Sequence, residues 1–439
     1  KAKEVIMVKV GVSPVSESNA LDNITAEIPA WNFQQVADNA YAKWNKELGR
    51  VSVESKDIHQ LRTFYTALYH LFTAPVLFND HNGDYRGTDK KEYKNPGFQN
   101  YTIFSLWDVY RAAQPLYTII QPDRVPDMVQ SLLAIYKQQG KLPIWPLMGS
   151  ETDCMVGYPA VPVIADAYFK GFKGIDPELA FEAMKASSMR DDYGVNHLKT
   201  RGYIPADKEK ESVSKALEYA LSDWAIAQLA QKLGKQSDYE YYSKRAKAYT
   251  QYFDPRTDFM RPKLDNGSFR EPLDPFKSIH EWGDYTEGNA WQYTWLVPQD
   301  VEGLGNLFGG EKPFVRKLDS LFVVQGGLGA EASPDISGLI GQYAHGNEPS
   351  HHIAYLYTYV GQQWKTAEKI RYILENMYFD KPAGLSGNED CGQMSAWYIL
   401  SSLGFYQVNP AGACFVFGSP SFDKATITLP AGKKFIIDV

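Results

Sequence analysis

Residues 213–234 read VSKALEYALSDWAIAQLAQKLG. Val213, Leu217, Ala220, Leu221, Trp224 and Ala227 recur at the three-to-four spacing of a single helix face, and Gly234 stands where a left-handed terminating residue belongs. The same period recurs near 33–48, 57–73, 125–139, 157–172, 177–188, 238–252, 351–360, 364–378 and 391–403. With shorter candidates near 105–118 and 288–296, the chain carries about a dozen helices in succession. Consecutive helices joined by loops pair into hairpins, and six hairpins close into an α/α toroid. No repeated unit of the kind that builds a solenoid is present. The expected fold is therefore mainly α, an (α/α)6 toroid.

The two ends read differently. Residues 4–13, EVIMVKVGVS, are rich in Val and Ile and predict a strand; residues 414–438 predict two or three strands with turns at Gly418 and Gly432. Both look like parts of larger β structures. The opening stretch, KAKEVIMVKVGVSPVS, lacks the long apolar region and cleavage site of a signal peptide. No apolar run is long enough for a membrane-spanning helix. A formal charge of -7 argues against nucleic acid and anionic membrane surfaces as partners. Cys154, Cys391 and Cys414 leave at least one thiol unpaired and do not fix a redox compartment. The aromatic content, 14% of residues, is high enough to supply flat surfaces for sugar rings as well as core.

Several loops carry polar groups that a scaffold does not need. Trp107, Asp108 and Arg111 lie in SLWDVYR, and Glu151 and Asp153 in LMGSETDCMVGY. Glu287, Trp291 and Gln292 follow in YTEGNAWQYTW, and Asn347, Glu348, His351 and His352 in HGNEPSHH. In GLSGNEDCGQMSAW, residues 384–397, Asn388, Glu389 and Asp390 precede a helix. Each has a structural alternative: a helix cap for the last three, a first-turn carboxylate for Glu287, core packing for the tryptophans and a local ion pair for Asp108 and Arg111. One cap needs one acceptor, however, and that turn offers three, with Gly387 and Gly392 leaving room for substrate to approach. Adjacent histidines point in different directions on a helix and no zinc spacing supports them, whereas Asn347, Glu348 and Asp390 offer the oxygen donors of a hard cation such as calcium. An acid and a base carboxyl in an aromatic, polar pocket suit glycoside hydrolysis, with Glu287 and Asp390 able to supply the pair.

At these loops the chain resembles the calcium-dependent exo-α-mannosidases of glycoside hydrolase family 92, through SLWDVYRAAQPL, GSETDCMVGYPAVPVIADAYFKG, SVSKALEYALSDWAIAQLA, YTEGNAWQYTWLVPQDVEGL, GNEPSHHIAYLY and GNEDCGQMSAWYILSSLGFY. The resemblance implies the end of an N-terminal β-sandwich with its linker in 1–30, an (α/α)6 catalytic barrel in 31–408 and the start of a C-terminal β region in 409–439. It implies an inverting exo-α-mannosidase acting on mannose-containing glycans, with α-1,2 the first linkage to test, and a periplasmic or secreted location. Carried over, Glu287 becomes the acid and Asp390 the base, with Asn388 beside it. Asn347, Glu348 and Asp390 become calcium ligands, and Trp107, Asp108, Glu151, Asp153, Trp291 and His351 hold the sugar. The family's N-terminal sandwich would complete the site. Two departures stand out: Asn388 occupies a position where relatives often carry a second aspartate, and Pro159 one where they often carry histidine. The readings that compete are another toroid glycosidase or lyase on a different sugar, and a carbohydrate-binding protein without catalysis.

Overall fold

The computed structural model describes residues 5–439. Its helices alternate between an outer and an inner layer. The outer members are Ile58–Leu71, Val125–Gln139, Pro177–Ser188, Gln236–Arg245, Glu311–Leu321 and Gln363–Asn376; the inner partners are Ala113–Ile120, Ala160–Phe169, Ser212–Lys232, Ala290–Tyr293, the 3-10 helix Ile353–Val360 and Gln393–Leu403. Gln393–Leu403 packs against both Ile58–Leu71 and Ala113–Ile120, so the last pair meets the first and the ring closes.

Burial explains the two layers. Every residue of Gln393–Leu403 is buried, whereas Gln363–Asn376 buries only Thr366, Ile370, Ile373 and Leu374. Outer helices therefore keep the amphipathic period, and inner ones are enclosed on all sides. Ser212–Lys232 is of the second kind: besides its apolar face it buries Lys215, Glu218 and Asp223. Charges so placed need partners. Glu218 takes Arg111 at 2.6 Å, Asp223 takes Arg245 at 2.8 Å and Lys215 pairs with Glu209. Gly234 follows this helix in the left-handed conformation.

Two expectations about the helices need correction. The segment near 288–296 yields only the single turn Ala290–Tyr293, and 351–360 is a 3-10 helix rather than an α-helix. Helices Glu17–Glu27, Val195–Arg201, Val301–Leu307 and Glu311–Leu321 come in addition.

At the ends, Val51–Glu54, Lys424–Thr428 and Lys434–Asp438 form an antiparallel sheet in that order, with Val51 opposite Ile427 and Ile427 opposite Phe435. The C-terminal strand reading thus holds. The expected strand at 4–13 does not form: Glu4 lies outside the described residues, and 5–13 pair with no strand among those described. Val5, Ile6, Val8, Val10 and Val12 are exposed instead. Apolar β-branched residues favour extended backbone, but a strand also needs a neighbour to complete its ladder.

Candidate active site

In a ring of hairpins all outer-to-inner connections open on one rim. Here those connections carry every polar loop singled out above. Their side chains meet: the Asn347 amide donates to the Glu287 carbonyl at 2.8 Å and to its carboxylate at 3.3 Å, and Asn388 donates to Asp335 at 3.1 Å. Glu287, Asp390 and Cys391 all hold left-handed backbone, with φ of 47°, 51° and 55°. Strain of this kind, about 1–3 kcal/mol per residue, persists only where surrounding structure imposes it.

The three acceptors of the 388–390 turn divide their work. Glu389 accepts the Gly392 amide at 2.6 Å and the Ser395 amide at 3.4 Å, so it caps the inner helix Gln393–Leu403. Asn388 is exposed and spends its amide on Asp335 rather than on Asp390. Asp390 takes no part in this capping and lies within electrostatic reach of Glu348. The glycines serve packing, not substrate entry as expected. A Cβ on Gly387 would stand 2.3 Å from the Gly346 carbonyl, and one on Gly392 would stand 3.0 Å from Leu71.

Electrostatics single out four acids. Burial, then the charge of Asp335, then that of Asp390 push the Glu287 carboxyl up to about 7. Burial and the Asp390 charge hold Asp108 well above the usual carboxylate range, and burial with Asp108 and Asp390 does the same to Glu348. Burial raises Asp390, and the neighbouring Glu348 holds it back in part. Glu348 Oε1 is buried without a hydrogen-bond partner. Asn347, Glu348 and Asp390 offer oxygen donors, the chemistry of a hard cation, although among the described residues no group of three or more His, Cys, Asp or Glu makes a ready metal cage.

Other predicted site residues are held by structural contacts. Trp107 is buried and donates its indole N–H to Glu218 at 3.0 Å, so its ring is no open sugar platform. Trp291 is likewise buried, edge-on to Phe259 at 4.8 Å and beneath the Lys317 ammonium. Both rings fill space in the core rather than line an open surface. Asp108 is buried against Ser105. Glu151 spends both oxygens on the amides of Ile144, Trp145 and Asp153, each at 2.9 Å, and so shapes its loop. Asp153 is paired with Lys141. His351 is fully enclosed: its Nε2–H donates to the His345 carbonyl at 3.1 Å, and Nδ1 accepts from Gln393 at 2.9 Å. Both ring nitrogens are engaged within the protein, and burial holds its pKa well below the usual histidine range. His352 donates to the Trp295 carbonyl at 2.7 Å.

The sequence reading missed Glu218 and Asp335. Glu218 accepts from Trp107, Tyr110 and Arg111 and so joins the segment ahead of the first inner helix to the third inner helix. Asking what neutralises Arg111 would have found it. Asp335, fixed by Ser333 at 2.6 Å and by Asn388, sits in a short turn with no sequence signal.

A family model described as the glycosyl hydrolase family 92 catalytic domain matches residues 19–439. A family 92 α-mannosidase of Bacteroides thetaiotaomicron, solved in complex with mannoimidazole, superposes with a TM-score of 0.93 at 44% identity over 97% of this chain and 56% of its own. A family 92 inverting mannosidase of the same organism gives 0.87 at 35% identity, over 97% and 60%. A curated relative described as an uncharacterized secreted glycosidase, from Arthroderma benhamiae, is 28% identical over 98% of this chain and 54% of its own. The chain thus spans little more than half the length of these relatives. With a ring of six helix pairs and a family match reaching from the first helix to the last strand, the chain belongs to glycosyl hydrolase family 92.

Proposed function

We propose that this chain is the catalytic core of an inverting exo-α-mannosidase, which releases terminal α-linked mannose from glycans with the help of calcium. The observation that carries the reading is the pair Glu287 and Asp390: each is a strained residue ahead of an inner helix on the same rim, and each is within electrostatic reach of the other. The likeness to mannosidases supports the sugar.

In this reading Glu287 is the acid. A carboxyl that keeps its proton up to about 7 can give it to the departing oxygen, and the Asn347 amide fixes its position. Asp390, relieved of capping by Glu389, takes a proton from the water that attacks the anomeric carbon from the opposite face. Asn347, Glu348 and Asp390 would hold calcium, whose unmet need for oxygen donors water and sugar hydroxyls can fill. Bound calcium would neutralise crowded carboxylates and favour distortion of the sugar ring. An N-terminal β-sandwich, as in the family, would complete the site. The curated relative's secreted description supports a periplasmic or secreted location.

The test is hydrolysis of α-1,2-, α-1,3- and α-1,6-linked mannosides by this chain joined to its sandwich domain, with NMR of the first-formed sugar. β-Mannose is expected; α-mannose would mean retention and overturn Asp390 as a base.

A further inference from the structure

Where the ring closes on itself, the start of helix Ile58–Leu71, the end of helix Gln363–Asn376 and the inner helix Gln393–Leu403 bound a cavity of about 450 Å³. Glu287, Glu348 and Asp390 take no part in its lining, so it is a second hollow, separate from the candidate site. Its volume falls within the range of about 300–1,000 Å³ usual for small-molecule sites. Phe379 stands in its wall 45% exposed, with Leu374 also in the lining. Tyr398, only 3% exposed, lines the same space and feels the charge of Asp57. Its hydroxyl makes no hydrogen bond among the described residues, yet it is not sealed from solvent as the orphaned polar atoms of the core are. A phenol in that state can both donate to a guest and accept from it.

The positive groups here are already engaged. His59 Nδ1 meets Asp380 at 2.7 Å, and Arg62 lies 3.6 Å from the same carboxylate. Arg371 donates to the Ser419 hydroxyl at 2.9 Å and to the Pro420 carbonyl. Asp57 uses one oxygen to accept the His59 amide at 2.9 Å, and Glu375 makes no ion pair or hydrogen bond among the described residues. One oxygen of Asp57, the Glu375 carboxylate and the Tyr398 hydroxyl are thus open to a guest. Two free carboxylates repel an anion, and Arg371 in the same wall disfavours a cation. Neutral hydroxyl groups donate to carboxylates in strong, charge-assisted bonds, and the C–H face of a sugar ring suits the flat face of Phe379.

We propose that this seam cavity binds a neutral pyranose sugar, with Phe379 as its stacking surface and Tyr398, Asp57 and Glu375 as its hydrogen-bonding groups. The class of ligand rests on the cavity alone; mannose as the particular sugar rests on the function proposed above. A second foothold of this kind raises the local concentration of a branched glycan around the ring.

The experiment measures binding of radiolabelled linear α-mannotriose by equilibrium dialysis to an Asp390→Asn form of the chain with its sandwich domain, chosen to bind the sugar without consuming it. Phe379→Ala and Tyr398→Phe are then added singly to that background. Two classes of site are expected before they are added. Phe379→Ala should weaken one class roughly tenfold and Tyr398→Phe the same class about fivefold, as loss of one aromatic contact and of one hydrogen bond imply. With Asp390 restored, both variants should hydrolyse an activated aryl α-mannoside at the parent's rate. Binding that neither variant weakens, in one class or two, overturns the seam site and leaves the mannosidase intact. A parent inactive on the aryl mannoside overturns the function itself and, with it, mannose as the sugar of the seam.

Discussion

At the scale of single residues, the acids of the rim are told apart by what already satisfies them. Glu151 and Glu389 have their oxygens filled by backbone amides; Glu287 has one side-chain amide donor. Glu389→Gln should accordingly cost about 1 kcal/mol of stability, the usual worth of a cap. Asp390→Asn keeps the left-handed backbone, which asparagine tolerates, and should lower kcat roughly 100- to 10,000-fold with the melting temperature kept or raised. Thermal melts beside single-turnover rates separate the two. Glu287 gives a pH prediction with a definite sign. As the acid it must carry its proton, so kcat should fall as pH rises through about 7. Glu287→Gln should remove that limb from the pH–rate profile and harm sugar leaving groups far more than an activated aryl group.

Among helices and strands, the apolar period was legible wherever an element kept one wet face, as at 57–73, 125–139 and 177–188. Inner helices were legible by apolar density, but their buried charges were not, because a partner such as Arg111 for Glu218 lies 107 positions away. Val195–Arg201 and Val301–Leu307 are too short for a period to show. Glu17–Glu27 buries only Asn19 and has no apolar stripe. Glu311–Leu321 did carry its signal in Phe314, Val315, Leu318 and Leu321, and it was overlooked. The catalytic candidates could be found because their loops are rich in acids and amides beyond structural need. Their tryptophan neighbours misled, since an aromatic ring next to an acid looks the same in sequence whether it lines a pocket or fills a core. Glu218 supplies the prediction at this scale: Glu218→Leu strands a buried guanidinium and should cost about 3–5 kcal/mol, read from chemical denaturation. Arg111→Met combined with Glu218→Leu should recover part of the loss.

For the molecule as a whole, a cation at Glu348 and Asp390 would bind the folded ring and not the unfolded chain. Chelation should therefore abolish activity and lower the melting temperature; calcium should restore both, and zinc should not. The ring also has two unlike rims. Outer-to-inner connections run from 16 residues, 377–392, to 44, 246–289, and hold the chemistry; inner-to-outer connections such as 121–124, 170–176, 233–235 and 361–362 are short. The second set is chemically idle. At Gly171 and Gly174 an added Cβ would meet nothing within 4 Å. A short tag or fluorescent label spliced between Gly171 and Gly174 should leave turnover and melting unaltered, while the same graft at 386–390 should abolish turnover. Fusion partners, surface tethers and permuted termini thus have a natural address on this ring: the face turned away from the candidate site.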